Sequence, residues 1–240
     1  MKKNQILLNI KKTRNYKDGY SLNSKYWKDW KKNFLPVLPE ELVEIAIGMI
    51  LGDASISKRH NQASIKFEQG YKQTEFLIHL FELFKNYCFM TEPGKRFNLN
   101  GERKDLLKSL WFKTFSHPSF TEIWNLFYFN NSNKKSIKQG LILNHLTDRS
   151  LAYWIMSDGS LQKNLLTMIL HTQSFSYEEN VILSYELNEK FKFNTQVILH
   201  KKKYWVIKFN SNDALNLNNL IKPYMHSSLA YKIPKIDTNL

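Results

Sequence analysis

Apolar residues recur along the chain at two spacings, near 3.6 and near 2, and the switches between them mark out the elements. Leu42–Gly52 is predominantly apolar and follows Pro39, Glu40 and Glu41, an early proline with acids in the first turn, which predicts a helix. After Asp53, Ala54–Ser57 and Ser64–Glu68 alternate around the polar turn Lys58–Gln62, the pattern of a hairpin. Thr74–Tyr87 returns to helical period through Phe76, Leu77, Leu80, Phe81 and Phe84. A more polar stretch with Pro93, Gly94, Asn100 and Gly101 predicts two further strands, the second ending near Phe115, and Phe120–Phe129 is helical again. Phe129–Ser136, polar and turn-forming, reads as the linker.

The second half repeats the order. Thr147 or Asp148 can cap a helix over Ser150–Ser157, and Leu161–Leu170 is a β-rich run. Ser176 and Glu179 form a capping box that opens a helix to about Phe191. Gln196–His200 and Tyr204–Phe209 flank Lys201–Lys203 as a second hairpin, and Asp213–Ile221 closes with a helix. Helix, hairpin, helix, hairpin, helix therefore occurs twice, which is an internal duplication. The expected division is a basic arm over 1–40, a first repeat with linker over 41–146 and a second repeat over 147–240.

Composition narrows the partner. Among 240 residues, 35 Lys+Arg face 21 Asp+Glu, a formal charge of +14, of which +8 falls within residues 1–35. Such an excess favours a polyanion, because each cation placed on a phosphate releases condensed counterions. The arm interleaves Tyr16, Tyr20, Tyr26, Trp27, Trp30 and Phe34 with its lysines, so the rings can pack on the body while the ammonium heads face phosphates; a solvated surface helix around Ser24–Asn33 is the plainer alternative. No apolar run reaches the ~18 residues of a membrane span. The single cysteine, Cys88, builds neither an internal disulfide nor a cysteine-rich zinc site. The seven histidines lack zinc spacing, and there is no Gly-rich phosphate loop.

The duplication carries chemistry. Residues 46–54 read AIGMILGDA and residues 151–159 LAYWIMSDG, so Asp53 and Asp158 each follow an apolar helix and a small residue, Gly52 or Ser157. Gln69 lies 16 residues after Asp53 and Gln173 lies 15 after Asp158; Lys135 lies 82 after the first and Lys232 74 after the second. An Asp at a helix C-terminus opposes the dipole, and an isolated one is ordinarily just a helix end. Two in register, in a strongly basic chain, point to a compensating cation. Carboxylates with backbone carbonyls are hard oxygen ligands suited to Mg²⁺, and metals holding attacking and leaving oxygens suit phosphodiester hydrolysis. A lysine beside each carboxylate can stabilise charge on the phosphate.

The two nonapeptides resemble the paired motifs of the LAGLIDADG homing endonucleases, in the monomeric two-motif form. Gly48, Ile50 and Asp53 match in the first copy; Leu151, Ala152, Ile155, Asp158 and Gly159 match in the second. The resemblance runs from about residue 42 to 235. It implies an α+β fold, a pseudo-twofold duplicated αββαββα with two antiparallel saddle-shaped sheets, in which the motif helices pack centrally and bring Asp53 and Asp158 together. Gly48 and Gly52 would allow close approach, whereas Tyr153, in register with Gly48, departs from the pattern and implies a looser or asymmetric contact. Ser157 stands where a relative carries an acid.

The resemblance further implies a Mg²⁺-dependent double-strand break, with Mn²⁺ able to substitute, in a long asymmetric DNA target, leaving short 3′ overhangs and promoting intron mobility. Asp53, Asp158, Gly52 and Ser157 would hold metal, Gln69 and Gln173 order water, and Lys135 and Lys232 give electrostatic support. Ser57, Lys58, Arg59, Lys66, Lys163, Thr167, Lys201, Lys202, Lys203 and Lys208 would contact double-stranded DNA. No membrane partner is expected, and an organelle-encoded origin, in the mitochondrion or another organelle, agrees with the abundance of Lys, Asn and Ile. Two rivals share the fold: a group I intron maturase, with intron RNA as partner, and a DNA-binding protein without catalysis.

Overall fold

The computed structural model describes residues 24–34, 37–129 and 134–235. Most of the basic arm and residues 130–133 of the expected linker lie outside these. Helix α1 (Lys25–Phe34) precedes α2 (Glu40–Leu51), β1 (Ser55–Arg59), β2 (Gln62–Gly70), α3 (Thr74–Phe84), β3 (Gly94–Phe97), β4 (Leu107–Lys113) and α4 (Pro118–Phe127). A short α5 (Leu141–His145) leads to α6 (Asp148–Asp158), β5 (Gly159–Leu161), β6 (Met168–Leu170), α7 (Tyr177–Phe191), β7 (Gln196–His200), β8 (Tyr204–Phe209) and α8 (Ala214–Ile221).

Each half folds its two hairpins into one antiparallel sheet of the same order, β1-β2-β4-β3 and β5-β6-β8-β7. Alternation gives each sheet two unlike faces. In the first, Ile56 pairs with Ile65 and Phe67 with Phe112, and all four are buried beneath α3 and α4. Phe67 stacks on Phe112 at 4.7 Å and meets Phe84 of α3 at 4.9 Å. The opposite face is open and polar. In the second sheet Met168, Leu170, Ile207 and Phe209 join the core instead.

Helices α2 and α6 lie together at the centre, and the reason is local. A Cβ on Gly48 would stand 2.1 Å from the Ser150 carbonyl oxygen, and one on Gly52 would stand 2.4 Å from Ser157 Oγ. The contact is asymmetric: Tyr153 does not take the equivalent place but hydrogen-bonds His79 of α3 at 2.8 Å through its hydroxyl. Arg149 ties the far ends of the two helices, 2.7 Å from Glu44 and 3.7 Å from Glu41.

The structure adds one short helix to the expected order. The β-rich run ending at Leu170 is part of the expected hairpin, two three-residue strands turned by Asn164, whose Oδ1 accepts from the Thr167 and Leu166 N–H groups, and by Leu165 at φ 57°. Helix α5 was not anticipated; Glu186 of α7 accepts from the N–H groups of Gly140, Ile142 (2.8 Å) and Leu143 (3.4 Å), while Lys190 donates to the carbonyls of Ile142 and Leu143. The expected capping boundaries hold, with Thr147 capping α6 and the Ser176–Glu179 box opening α7. Helix α1, finally, is docked through Trp27, whose ring meets Phe89 at 4.6 Å.

Candidate active site and nucleic-acid interface

The close approach of α2 and α6 sets Asp53 and Asp158 side by side at the helix C-terminal ends. Asp158 is the last residue of its helix, and Asp53 follows Gly52. Ser157 joins the copies, its Oγ accepting from the Asp53 N–H at 2.9 Å. Burial pushes the Asp158 carboxyl up to about 7, the neighbouring Asp53 pushes the same way, and Lys135 and Lys232 oppose.

Each lysine returns to the helix end of its own half. Lys135 Nζ donates to the Ile50 carbonyl at 2.7 Å and lies 3.5 Å from that of Gly52. Lys232, from the 3₁₀ segment Ser227–Lys232, donates to Met156 at 2.6 Å and lies 3.3 Å from Ser157 and 3.5 Å from Ile155. These ammonium groups cancel the negative end of each dipole, so part of the compensation assigned to a metal is built into the chain. Burial depresses the proton affinity of both lysines, and Asp158 and Asp53 restore part of it.

The glutamines part company. Gln69 is buried and its Nε2 donates to Asp53 Oδ2 at 3.3 Å, whereas Gln173 is exposed and lies 3.4 Å from His171 Nδ1. The structure therefore brings Gln69 to its carboxylate; Gln173 pairs with His171 instead.

The donor set suits a hard divalent cation. All candidate ligands are oxygens, from two carboxylates with the Gly52 and Ser157 carbonyls close by, and a cation would offset both the burial and, secondarily, the Asp53 repulsion that raise the proton affinity of Asp158. Among the described residues no group of three or more His, Cys, Asp or Glu could hold a metal, so such an ion would take its remaining ligands from water or phosphate.

The expected DNA contacts divide by strand parity. Ser57, Arg59 and Lys66 share the open face of the first sheet. Lys113, opposite Lys66, has its proton affinity lowered by burial and by Arg59 and Lys66, so these cations crowd together. Lys58 lies one residue out of phase and sits over the Trp124 ring at 4.8 Å on the helix side, apart from Ser57 and Arg59. In the second half Lys208 is on the open face, and Lys201–Lys203 project from the β7–β8 turn. Lys163 is exposed in the β5–β6 turn, and Thr167 is buried there, its Oγ1 accepting from Asn164 at 2.8 Å.

Several open-face residues escaped sequence reasoning: Glu68, Arg96, Trp111, Lys113, His171 and His200. Glu68 could have been reached by counting two on from Lys66; Arg96, Trp111 and Lys113 required β3 and β4 to be placed in register, and His171 and His200 required β6, β7 and β8. His171 Nε2 lies 2.8 Å from Ser160 Oγ, and its ring meets His200 at 5.7 Å. The two open faces thus present different chemistry, ion pairs in the first and histidines with Tyr204 and Ile198 in the second.

Comparison with known proteins agrees with this fold. Residues 43–217 match the model of the LAGLIDADG DNA endonuclease family. A Mycosarcoma maydis protein named "Probable intron-encoded DNA endonuclease 3" is 52% identical over 132 residues, which cover 54% of this chain and 96% of that protein. The cytochrome b mRNA maturase bI2 of Saccharomyces cerevisiae is 31% identical over 223 residues, 89% of this chain and 52% of that protein. The solved structure of the homing endonuclease I-WcaI bound to its DNA recognition sequence superposes with a TM-score of 0.80 at 33% identity, covering 90% of this chain and 95% of that one.

Proposed function

The chain belongs to the LAGLIDADG DNA endonuclease family, and from that premise we propose that it makes a Mg²⁺-dependent double-strand break at one long, asymmetric DNA site, promoting the mobility of its own intron. The observation that carries this is the central pair: two carboxylates delivered by two motif helices, close enough that Asp53 adds to the burial that raises Asp158 to about 7, with half-buried Lys135 at one helix end and buried Lys232 at the other. Asymmetry of the target follows from the unlike open faces of the two sheets. Because both motifs lie in one chain, a monomer suffices. Mn²⁺ can replace Mg²⁺ on the same oxygen ligands.

A divalent ion at Asp53 and Asp158 would supply positive charge to the attacking and leaving oxygens of the phosphodiester. The remaining work falls to the chain. Asp53 and Asp158 would hold that ion with the Gly52 and Ser157 carbonyls nearby, and Gln69 and the Asp53 N–H contact with Ser157 fix the first carboxylate. Lys135 and Lys232, pinned on helix carbonyls, place fixed positive charge where the phosphate gains negative charge as water attacks phosphorus. The open sheet faces bind the duplex, with Arg59, Lys66, Lys113 and Lys208 as cationic contacts and the turn Lys201–Lys203 on flanking phosphates. Lys201 and Lys202 take positive φ, of 50° and 54°, so the tip spends backbone energy to present its lysines.

To test this, purified protein and Mg²⁺ would be incubated with intron-free organellar DNA and every new end sequenced, with D158N and Ca²⁺ reactions alongside. Ends converging on one site, absent from both controls, are expected; normal cleavage by D158N would refute the reading. The similarity to the bI2 maturase over 89% of the chain supports a second reading, intron-RNA binding in splicing. It predicts affinity for intron RNA without DNA cleavage. An organelle-encoded origin fits both.

A further inference from the structure

Among the described residues, the strands of the two sheets carry a single carboxylate, Glu68. Register puts it on the open face of the first sheet, opposite Trp111. An acid on a surface offered to a phosphate polymer is repelled by it, so its presence calls for a reason. Glu68 is ion-paired with Lys66, accepts from Ser109 Oγ at 2.7 Å and lies 3.4 Å from Arg96 Nε. Burial works to raise its carboxyl, but Lys66, Ser109 and Arg96 outweigh that and hold it below the usual carboxylate range.

Both cations also lie over one ring. Lys66 Nζ and the Arg96 guanidinium are each 5.9 Å from the Trp111 centroid. Gly94 makes room for that ring, since a Cβ there would stand 2.7 Å from it. Arg96 meets Glu68 through Nε rather than through its terminal amino groups, and its side chain is half-exposed on the open face. Part-exposed ion pairs of this kind contribute little to stability. Their effect is geometric: the stems of Arg96 and Lys66 are fixed before any ligand arrives, and half of their charge is already answered.

We propose that Glu68 is a positioning residue for sequence discrimination. It holds Arg96, with Lys66 beside it, as a preformed reader of a guanine edge in the major groove, and it lowers the affinity of this face for phosphate in general. A guanidinium on a loose stem binds phosphate wherever it finds it; one fixed on Trp111 and paired through Nε gains little there and loses little entropy on a matched O6/N7 edge. Among the described residues the strands of the second sheet carry no carboxylate, so discrimination of this kind belongs to the half-site beneath the first. The inference rests on the DNA-cleaving reading above.

The test begins with a duplex selected by the wild-type protein from a randomised pool, in Ca²⁺. Binding of wild type, E68Q, R96A and the double variant is then measured on that duplex, on each single-base-pair change of it, and on an unrelated duplex, across a salt series. For E68Q we expect tighter binding to the unrelated duplex, a salt dependence steeper by about one phosphate contact, and a roughly tenfold fall in the ratio of selected to unrelated affinity. The lost discrimination should fall at one G·C pair, the same pair at which R96A loses it, with the double variant no worse. Unchanged discrimination in E68Q, or loss at different pairs in the two variants, overturns the proposal while leaving the nuclease reading intact. If the wild-type protein selects no duplex, both fail together. Melting of E68Q close to wild type is the accompanying expectation, since the ion pairs are part-exposed.

Discussion

Replacing Asp158 by Asn removes a charge that the folded protein holds at a cost. A carboxyl raised from its ordinary 3.8 to about 7 implies ~4 kcal/mol of lost stability once it is ionised, at ~1.4 kcal/mol for each tenfold change in proton affinity. The sign follows from proton counting. Between about pH 4 and 7 the folded protein keeps a proton that the unfolded chain has released, so stability falls as pH rises and the loss is complete above 7. D158N does not titrate and escapes this fall. Between pH 5 and pH 8 the stability of D158N should therefore rise relative to wild type by ~2–3 kcal/mol, which for a chain of this size corresponds to roughly 5–10 °C in melting temperature. The assay is thermal unfolding of both proteins in EDTA at the two pH values, with every other titrating group common to both. A gap of constant size, or a variant that loses ground as pH rises, would refute the claim that Asp53 and burial together strain Asp158. The same variant should be inactive in Mg²⁺, so stability and cleavage move in opposite directions.

The remaining expectations come from the same few contacts. Mg²⁺ should raise the melting temperature of wild type more at pH 8 than at pH 6, because protons compete for Asp158, and should leave D158N nearly unmoved; equal shifts in both proteins would remove Asp158 from the ion's ligands. K232M should cut the cleavage rate by at least tenfold and displace its pH profile to the alkaline side, since Lys232 opposes the raised proton affinity of Asp158; single-turnover rates from pH 6 to 9 measure both. G48A should destabilise the fold by ~3 kcal/mol or more, because the new Cβ would stand 2.1 Å from a backbone carbonyl oxygen. Calorimetry showing a change under ~1 kcal/mol would mean that α2 and α6 separate easily.

Much of this protein can be read from local pattern. Periodicity located the helices that became α2, α3, α4, α6, α7 and α8, and the duplicated nonapeptides announced two equivalent aspartates, because spacing along the chain and the chemistry of one residue type are properties a sequence carries directly. The Ser176–Glu179 box and the Thr147 cap are likewise made within three residues of themselves. Helix α5 was invisible, since its donors are satisfied by Glu186, more than 40 residues away, rather than by a neighbour. The division of labour at the centre was also hidden. Gln69 and Gln173 sit at almost the same distance after their aspartates, yet the fold brings only the first to its carboxylate. Lys135 and Lys232 were legible as cations near acids, but that they serve first as caps on helix carbonyls depends on where two distant segments return. On the sheets, Lys58 and Arg59 are adjacent in sequence and part to opposite faces because alternate residues point to opposite sides. Which side is open was decided only when helices covered the other, and it was that packing, with β4 laid against β2, that set Arg96, Lys66 and Trp111 around Glu68.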